Sequence, residues 1–322
     1  MKKNDFKKQL LIDFVSIAAG YVLMRVLFAA GIINTYWQGI VLNICINVIL
    51  TVSLNMTSGF LGELALGHAG FMAAGAYASA FFSKTLKLLP VIEFPAALLI
   101  GGLTAMLLGF IVSLPALRLR GDYLAIITLA FGEIVRNLLK NMDIVGGTKG
   151  YSGIPAYTTF TWAYLMAVIC VLATRSLINS RQGRSIISVR EDEIAAEASG
   201  VNTNTYKFLA FVFSAFFAGV AGALYAHYMR FLQPGVFTLD KSIEILVMVV
   251  LGGMGSIRGS VISSVILTVL PEMLRSMSDY RMLAYSVVLI MMMLSKHSET
   301  VQAALEKVKG MFGRGRKEEV HS

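Results

Sequence analysis

Charge and reactive chemistry are both scarce in this chain. Asp, Glu, Lys and Arg make up 15% of its 322 residues, against about 25% in an ordinary soluble domain. Its two cysteines, Cys45 and Cys170, lie inside apolar runs at no spacing that suggests a disulfide framework or a metal site. Packing is their expected role. The four histidines form no H-E-x-x-H pair, and no Ser-His-Asp signature is present, so neither hydrolase set is available. No G-x-x-x-x-G-K-[ST] occurs, and GGMGSIRGS at 252–260 misses G-x-G-x-x-G because Arg258 stands where the last glycine belongs. A chain without a phosphate loop cannot hydrolyse ATP by that route. It is expected to be no enzyme, to bind no metal or other cofactor, and to leave any ATP chemistry to another subunit.

What the chain has instead is apolar surface. Hydrophobic residues make up 56% of it and its mean hydropathy is +0.70, more than a soluble protein of this size can hide and the composition expected where lipid is the solvent. The expected fold class is an all-α polytopic membrane protein. About ten apolar windows can be read: 10–31, 37–54, 67–82, 94–114, 123–139, 161–178, 207–228, 243–251, 259–274 and 282–294. Several are shorter than the roughly 20 residues that cross a bilayer, as in broken or re-entrant helices. The start, MKKNDFKKQLLIDFVSIAAG, has a basic head like a signal peptide, but its apolar stretch runs on to about residue 31, and an uncleaved first span is expected. Residues 1–295 are expected to form the transmembrane domain and 296–322 a charged cytoplasmic tail.

The 28 Lys and Arg exceed the 19 Asp and Glu to give +9. The excess is concentrated at Lys2, Lys3, Lys7 and Lys8, at Arg118 and Arg120, between Arg175 and Arg190, and in the tail. That is the positive-inside pattern, which points to a membrane and not to nucleic acid. Ten spans then put both termini in the cytoplasm, with Lys84, Lys87, Arg136 and Lys140 as exceptions outside. Two loops rich in Gly, Pro and aromatics, 141–159 and 230–241, also fall outside. Residues 59–71 and 234–246 are re-entrant candidates on opposite sides, the arrangement that an inverted repeat produces.

Ionisable residues at membrane depth are costly without a partner or a cavity, and this makes them functional candidates. Glu63, His68, Asp122, Glu133 and Glu244 qualify by position. Glu133 has a basic neighbour, Arg136, three positions on and on the same helix face, whereas Glu63 and His68 have none nearby. Glu63, His68, Thr128 and Glu133 are the candidates for lining a path. In GGMGSIRGS, Gly252, Gly253, Gly255 and Gly259 are expected to form a tight turn, with Gly255 and Gly259 at the spacing that lets helices approach closely.

The most polar stretch inside the apolar region is SIISVREDEIAAEASG at 185–200. Arg190, Glu191, Asp192 and Glu193 are consecutive, and each would cost about 2.5–3.5 kcal/mol at the centre of a helix in lipid. The segment must lie outside the hydrocarbon. Ser188 and Glu191 have capping-box spacing, the acids suit a first helical turn, and Gly200 supplies a stop. The segment 185–204 is expected to hold a short helix, of roughly 11 residues and about 16 Å, that serves as a handle for a partner.

Four blocks carry a family resemblance: LNMTSGFLGELALGHAGFMAAGAY at 54–77, LRLRGDYLAIITLAFGEIVRNLL at 117–139, VREDEIAAEASGVNTNTYKFLAFVFSAFFAGVAGALYAH at 189–227 and VMVVLGGMGSIRGSVI at 247–262. They resemble the permeases of the branched-chain amino-acid ABC importer family. Glu193, Ala195, Ala196 and Gly200 resemble that superfamily's EAA loop, without the I-x-L-P ending of some branches. The resemblance implies a permease of the bacterial cell membrane that moves leucine, isoleucine and valine inward by alternating access. Its implied partners are a second homologous permease, two ATP-binding cassette subunits that hold ATP and Mg, and an extracytoplasmic solute-binding protein. Arg190, Glu191, Asp192, Glu193, Ala195, Ala196 and Gly200 would couple it to the ATPases. Permeases for urea, short amides, sugars or nucleosides share that architecture, and an ion-coupled secondary transporter would also account for the acids.

Overall fold

The computed structural model describes residues 20–274 apart from 29, 32, 33, 87, 88 and 117–121, together with 286, 287 and 290. The expected signal-like start, the tenth window and the boundary at 295/296 with its tail lie outside the described residues. The chain divides into two compact units, 1–268 and 269–322. The first holds all the described helices except the end of the last.

Helix α1 is described over residues 20–28. Helix α2 (Thr35–Asn55) runs straight into one π-helical turn (Met56–Leu61), which ends where Gly62 takes a left-handed φ of 83°. After a helix break come α3 (His68–Thr85), α4 (Pro90–Ala116) and α5 (Asp122–Asn141). A loop with a two-residue strand, β1 (Tyr151–Ser152), leads to α6 (Phe160–Asn179), α7 (Arg181–Glu191), α8 (Glu193–Ala198) and α9 (Thr203–Met229). Strand β2 (Phe231–Leu232), α10 (Leu239–Gly252) and α11 (Ile257–Met273) complete the order.

Among the described residues four helices are long and apolar enough to cross a bilayer: Thr35–Leu61, Val91–Pro115, Phe160–Asn179 and Thr203–Met229. These four do not establish the ten-span count. Helix α3 shows why apolarity understates such helices: it packs on both α4 and α9, which also pack on each other, so it needs small residues for packing more than large ones for lipid. Gly75 of α3, Gly101 of α4 and Gly219 of α9 meet backbone to backbone. A Cβ on Gly101 would stand 2.8 Å from the Gly75 carbonyl oxygen, and one on Gly219 would collide with the Gly101 carbonyl. Outside this junction α2 packs on α6 and α9, α5 on α3, and α10 on α2. Several buried hydroxyls are satisfied within their own helices, as when Ser53, Ser79 and Ser113 donate to carbonyls three residues back. On α4 the stripe Leu99, Leu103, Leu107 and Leu114 is left outward and exposed.

At one end, loops 141–159 and 230–241 are joined. Strands β1 and β2 pair antiparallel, with Tyr151 opposite Leu232 and Ser152 opposite Phe231. Lys84 at the end of α3 donates to the Ser152 carbonyl at 3.0 Å and lies 4.4 Å over the Tyr151 ring. His227 at the end of α9 donates from Nδ1 to the Pro155 carbonyl at 2.9 Å. The opposite end carries α7, α8 and the start of α9. The two re-entrant candidates, 59–71 and 234–246, each contain a helix start, and the starts touch: the Ala69 amide of α3 donates to the Ser242 hydroxyl of α10 at 3.1 Å.

Replacing Gly219 with Val should force α4 and α9 apart and cost about 1–3 kcal/mol by overpacking. Thermal unfolding in detergent checks this: the midpoint should fall by several degrees. Gly235→Ala, where a Cβ meets nothing within 4 Å, should leave it unchanged.

Candidate functional site

The polar segment folds as two helices, not one. Helix α6 ends at Asn179, where the Ser180 hydroxyl accepts from the Gly183 amide at 3.2 Å and so caps α7. Gly183 fits the corner because a Cβ there would collide with the carbonyls of Leu177 and Ile178. Helix α7 buries Ile186 and Val189 and stops at Asp192, whose backbone is extended. The Asp192 carboxylate then accepts from the amides of Ile194 and Ala195 at 2.9 and 3.0 Å, and α8 begins. Gly200 ends the segment with a left-handed φ of 82°.

This corrects two expectations. The helix of 185–204 is replaced by 181–191 and 193–198. Ser188 and Glu191 form no capping box: Ser188 is in the interior of α7 and donates to the Ser185 carbonyl at 2.8 Å. The helix start lies at Ser180 because α6 delivers the chain there, and the carboxylate that satisfies orphan amides is Asp192, one residue beyond Glu191. Asp followed directly by E-I-A-A is the sequence signal for it.

Helix α8 seats Ala196 inward and turns Ile194, 69% exposed, outward with Ala195 and Ala198. Beneath it is an ionic cluster. Lys207 Nζ lies 2.9 Å from Glu193 Oε1 and 2.9 Å from Glu63 Oε1, and its side chain is 3% exposed. Glu197 accepts from the Thr203 hydroxyl at 2.9 Å. Sequence reasoning takes Lys207 only as the edge of an apolar window and so misses it. A lysine one turn into an otherwise apolar helix requires an acid, and that requirement is the available signal. Its partners come from distant parts of the chain.

The glycine segment packs against the same structure. Arg190 donates from Nη1 to the Gly59 carbonyl at 3.0 Å, and its stem covers Gly62, where a Cβ would stand 2.9 Å from Arg190 Cγ. Asn55 accepts from the Gly255 amide at 2.9 Å and donates to the Ser256 carbonyl at 3.2 Å. Gly253 and Gly255 have φ of 95° and 80° and make the turn. Gly259 is in α11, and its close contact is backbone to backbone with Gly252, not with Gly255. The turn folds α11 back on α10, and this juxtaposes the residues that flank it.

The four path candidates separate. Glu63 is in the ionic cluster. His68 is buried with Nε2 3.0 Å from the Ser53 hydroxyl. Thr128, also buried, accepts from the Leu66 amide and donates to the Ala125 carbonyl, both at 3.0 Å. Glu133, ion-paired with Arg136, lines a narrow cleft with Gly70, Gly132, Thr238 and Ser242. The structure thus brings Glu63 to Lys207 and Glu193 and leaves the other three along α3 and α5.

The model of the family described as branched-chain amino acid transport system / permease component matches residues 36–295. The high-affinity branched-chain amino acid transport system permease protein LivM of Escherichia coli K12 is 38% identical in an alignment of 284 positions that covers 77% of this chain and 66% of that protein. Its counterpart from Salmonella typhimurium is 37% identical over the same shares. The chain thus spans just under two thirds of the length of these relatives. The permease protein LivH of Salmonella typhimurium is 31% identical over 135 residues, 41% of this chain and 43% of that one. No solved structure matches.

Removing the Asp192 cap should loosen α8 alone. Asp192→Ala is expected to cost this helix about 0.5–2 kcal/mol. Hydrogen exchange at the Ile194 and Ala195 amides should accelerate, with exchange in α9 unchanged.

Proposed function

This chain belongs to the family of branched-chain amino acid transport system permease components, and we propose that it is the membrane-spanning subunit of an ATP-driven importer of leucine, isoleucine and valine. The observation that carries the reading is α8. A short helix with two capped or glycine-stopped ends presents Ile194, Ala195 and Ala198 outward and is pinned from beneath by a buried ion cluster. Such a surface suits a protein cleft. An interfacial helix would carry a wide apolar face with basic residues opposite, whereas Glu191, Asp192 and Glu197 would be repelled by anionic lipid.

In this reading two ATP-binding cassette subunits, which hold the ATP and Mg, receive Arg190 to Gly200 on the cytoplasmic side, where both termini and the charged tail also lie. Closure of the ATPases pushes a rigid element, because α7 is fixed to α6 by the Ser180 corner and α8 to α9 by Lys207. The solute passes between this chain and a second, homologous permease, and the cleft at Glu133 borders the path. His68 and Thr128 hold the backbone behind that cleft. The joined loops at the opposite end receive the solute-binding protein. The remaining helices, with the four long ones, make up about ten spans in the cell membrane.

The test is reconstitution of this chain with the second permease, both ATPases and the binding protein in proteoliposomes. ATP-dependent leucine uptake is expected, competed by isoleucine and valine and not by urea or ribose. Deleting 190–200 should abolish uptake and co-purification of the ATPases and leave membrane insertion intact. Uptake by this chain alone under a proton or sodium gradient would overturn the proposal.

A further inference from the structure

Lys207 stands between two segments that lie far apart in the sequence. Glu193 opens α8, the element offered to the ATPase. Glu63 belongs to the break between the π-helical turn and α3. The Glu63 amide donates to the Thr57 carbonyl at 3.0 Å, so its backbone moves with that turn. Three residues on, the Leu66 amide donates to Thr128 of α5, and Gly67 lies against the Thr128 carbonyl, where a Cβ would collide. Thr128 is five residues from Glu133 and its cleft. A connected series of contacts thus runs from α8 through Lys207 and the 62–67 break to the α5 wall of the cleft.

We infer that Lys207 is a positioning residue of the transport cycle, a two-armed ionic tether that makes the break at 62–67 follow α8 in both directions. The inference rests on the reading of α8 as the ATPase contact. Apolar packing transmits a push, because overlapping atoms repel steeply, but it resists separation weakly, because the attraction between each atom pair is small and falls off within an ångström or so. An importer that alternates must also be drawn back. Opposite charges at 2.9 Å, with the lysine side chain 3% exposed, attract over a longer range than dispersion and are little screened by water. The lysine stem is long and flexible, and its ammonium carries three donors. It therefore keeps both carboxylates while α8 shifts by an ångström or so. The π-helical turn is the yielding partner in this arrangement: its wider hydrogen-bond ladder is a recurrent feature of functional helix distortions, and it ends at Gly62, whose left-handed backbone carries no side chain. The Arg190 bond to the Gly59 carbonyl ties the same turn to the end of α7.

The experiment uses the complete importer in proteoliposomes and reads leucine uptake, basal ATP hydrolysis, and its stimulation by the loaded binding protein. Glu63→Gln removes one arm and leaves Lys207 paired with Glu193, so α8 keeps its seat. ATPase co-purification and basal hydrolysis should stay at the wild-type level, while uptake per ATP falls about tenfold or more, a loss of at least about 1.4 kcal/mol in coupling. Lys207→Arg, which keeps the charge and both acids, should restore uptake to within about threefold of wild type. Lys207→Met should lose stimulation outright. Should that variant assemble poorly, Glu63→Gln carries the decision. Wild-type uptake per ATP in Glu63→Gln would overturn the inference. A wild-type complex that neither retains the ATPases nor imports leucine would overturn instead the function on which it rests.

Discussion

The structure depends first on how closely three helices can approach in a solvent that gives them no hydrophobic reason to do so. Lipid is as apolar as leucine, so helices associate through dispersion contact and shared polar groups. Gly75, Gly101 and Gly219 supply that contact by removing the side chains where α3, α4 and α9 meet. Each backbone becomes a neighbour of the next. Helix α9 is thereby fixed along its middle, and what it carries at its two ends is placed in turn. Lys207 and His227 lie about 30 Å apart along that axis.

The two ends are built differently. At the α8 end, charge is buried and answered by charge, because a lysine in that position has no water to rely on. At the other end the aromatic rings of Phe94, Tyr157 and Trp162 cluster beside His227, and backbone carbonyls satisfy its ring and the Lys84 ammonium. The first arrangement links separate pieces through side chains. The second welds two loops into one surface through main chain.

Much of the polar segment is legible from local rules. Four consecutive charged residues cannot enter lipid, Gly200 stops a helix, and Glu193 suits a first turn. The capping box at Ser188 fails for a local reason too. Capping spacing recurs wherever Ser and Glu happen to stand three apart, and only the direction from which α6 delivers the chain shows that the helix has already begun. Similarly, the glycines of 252–260 are recognisable as a turn, but the touching pair is not, since Gly252 and Gly259 meet through a reversal of the chain and not along one helix face.

The sequence by itself determined what depends on composition and on neighbours a few residues away: a membrane protein, its longest apolar helices, the lack of a phosphate-loop motif, and a polar segment too charged for the hydrocarbon. The tertiary structure alone decided which buried charges answer one another. Glu63 has no basic residue within helical reach, and Lys207 has no acid. Their pairing rests on α9 lying beside the break that follows α2, a proximity set by glycine contacts far from either residue. Hydrophobic periodicity reports which face of a helix is covered. An ion pair at 2.9 Å requires that two distant backbones first be brought together.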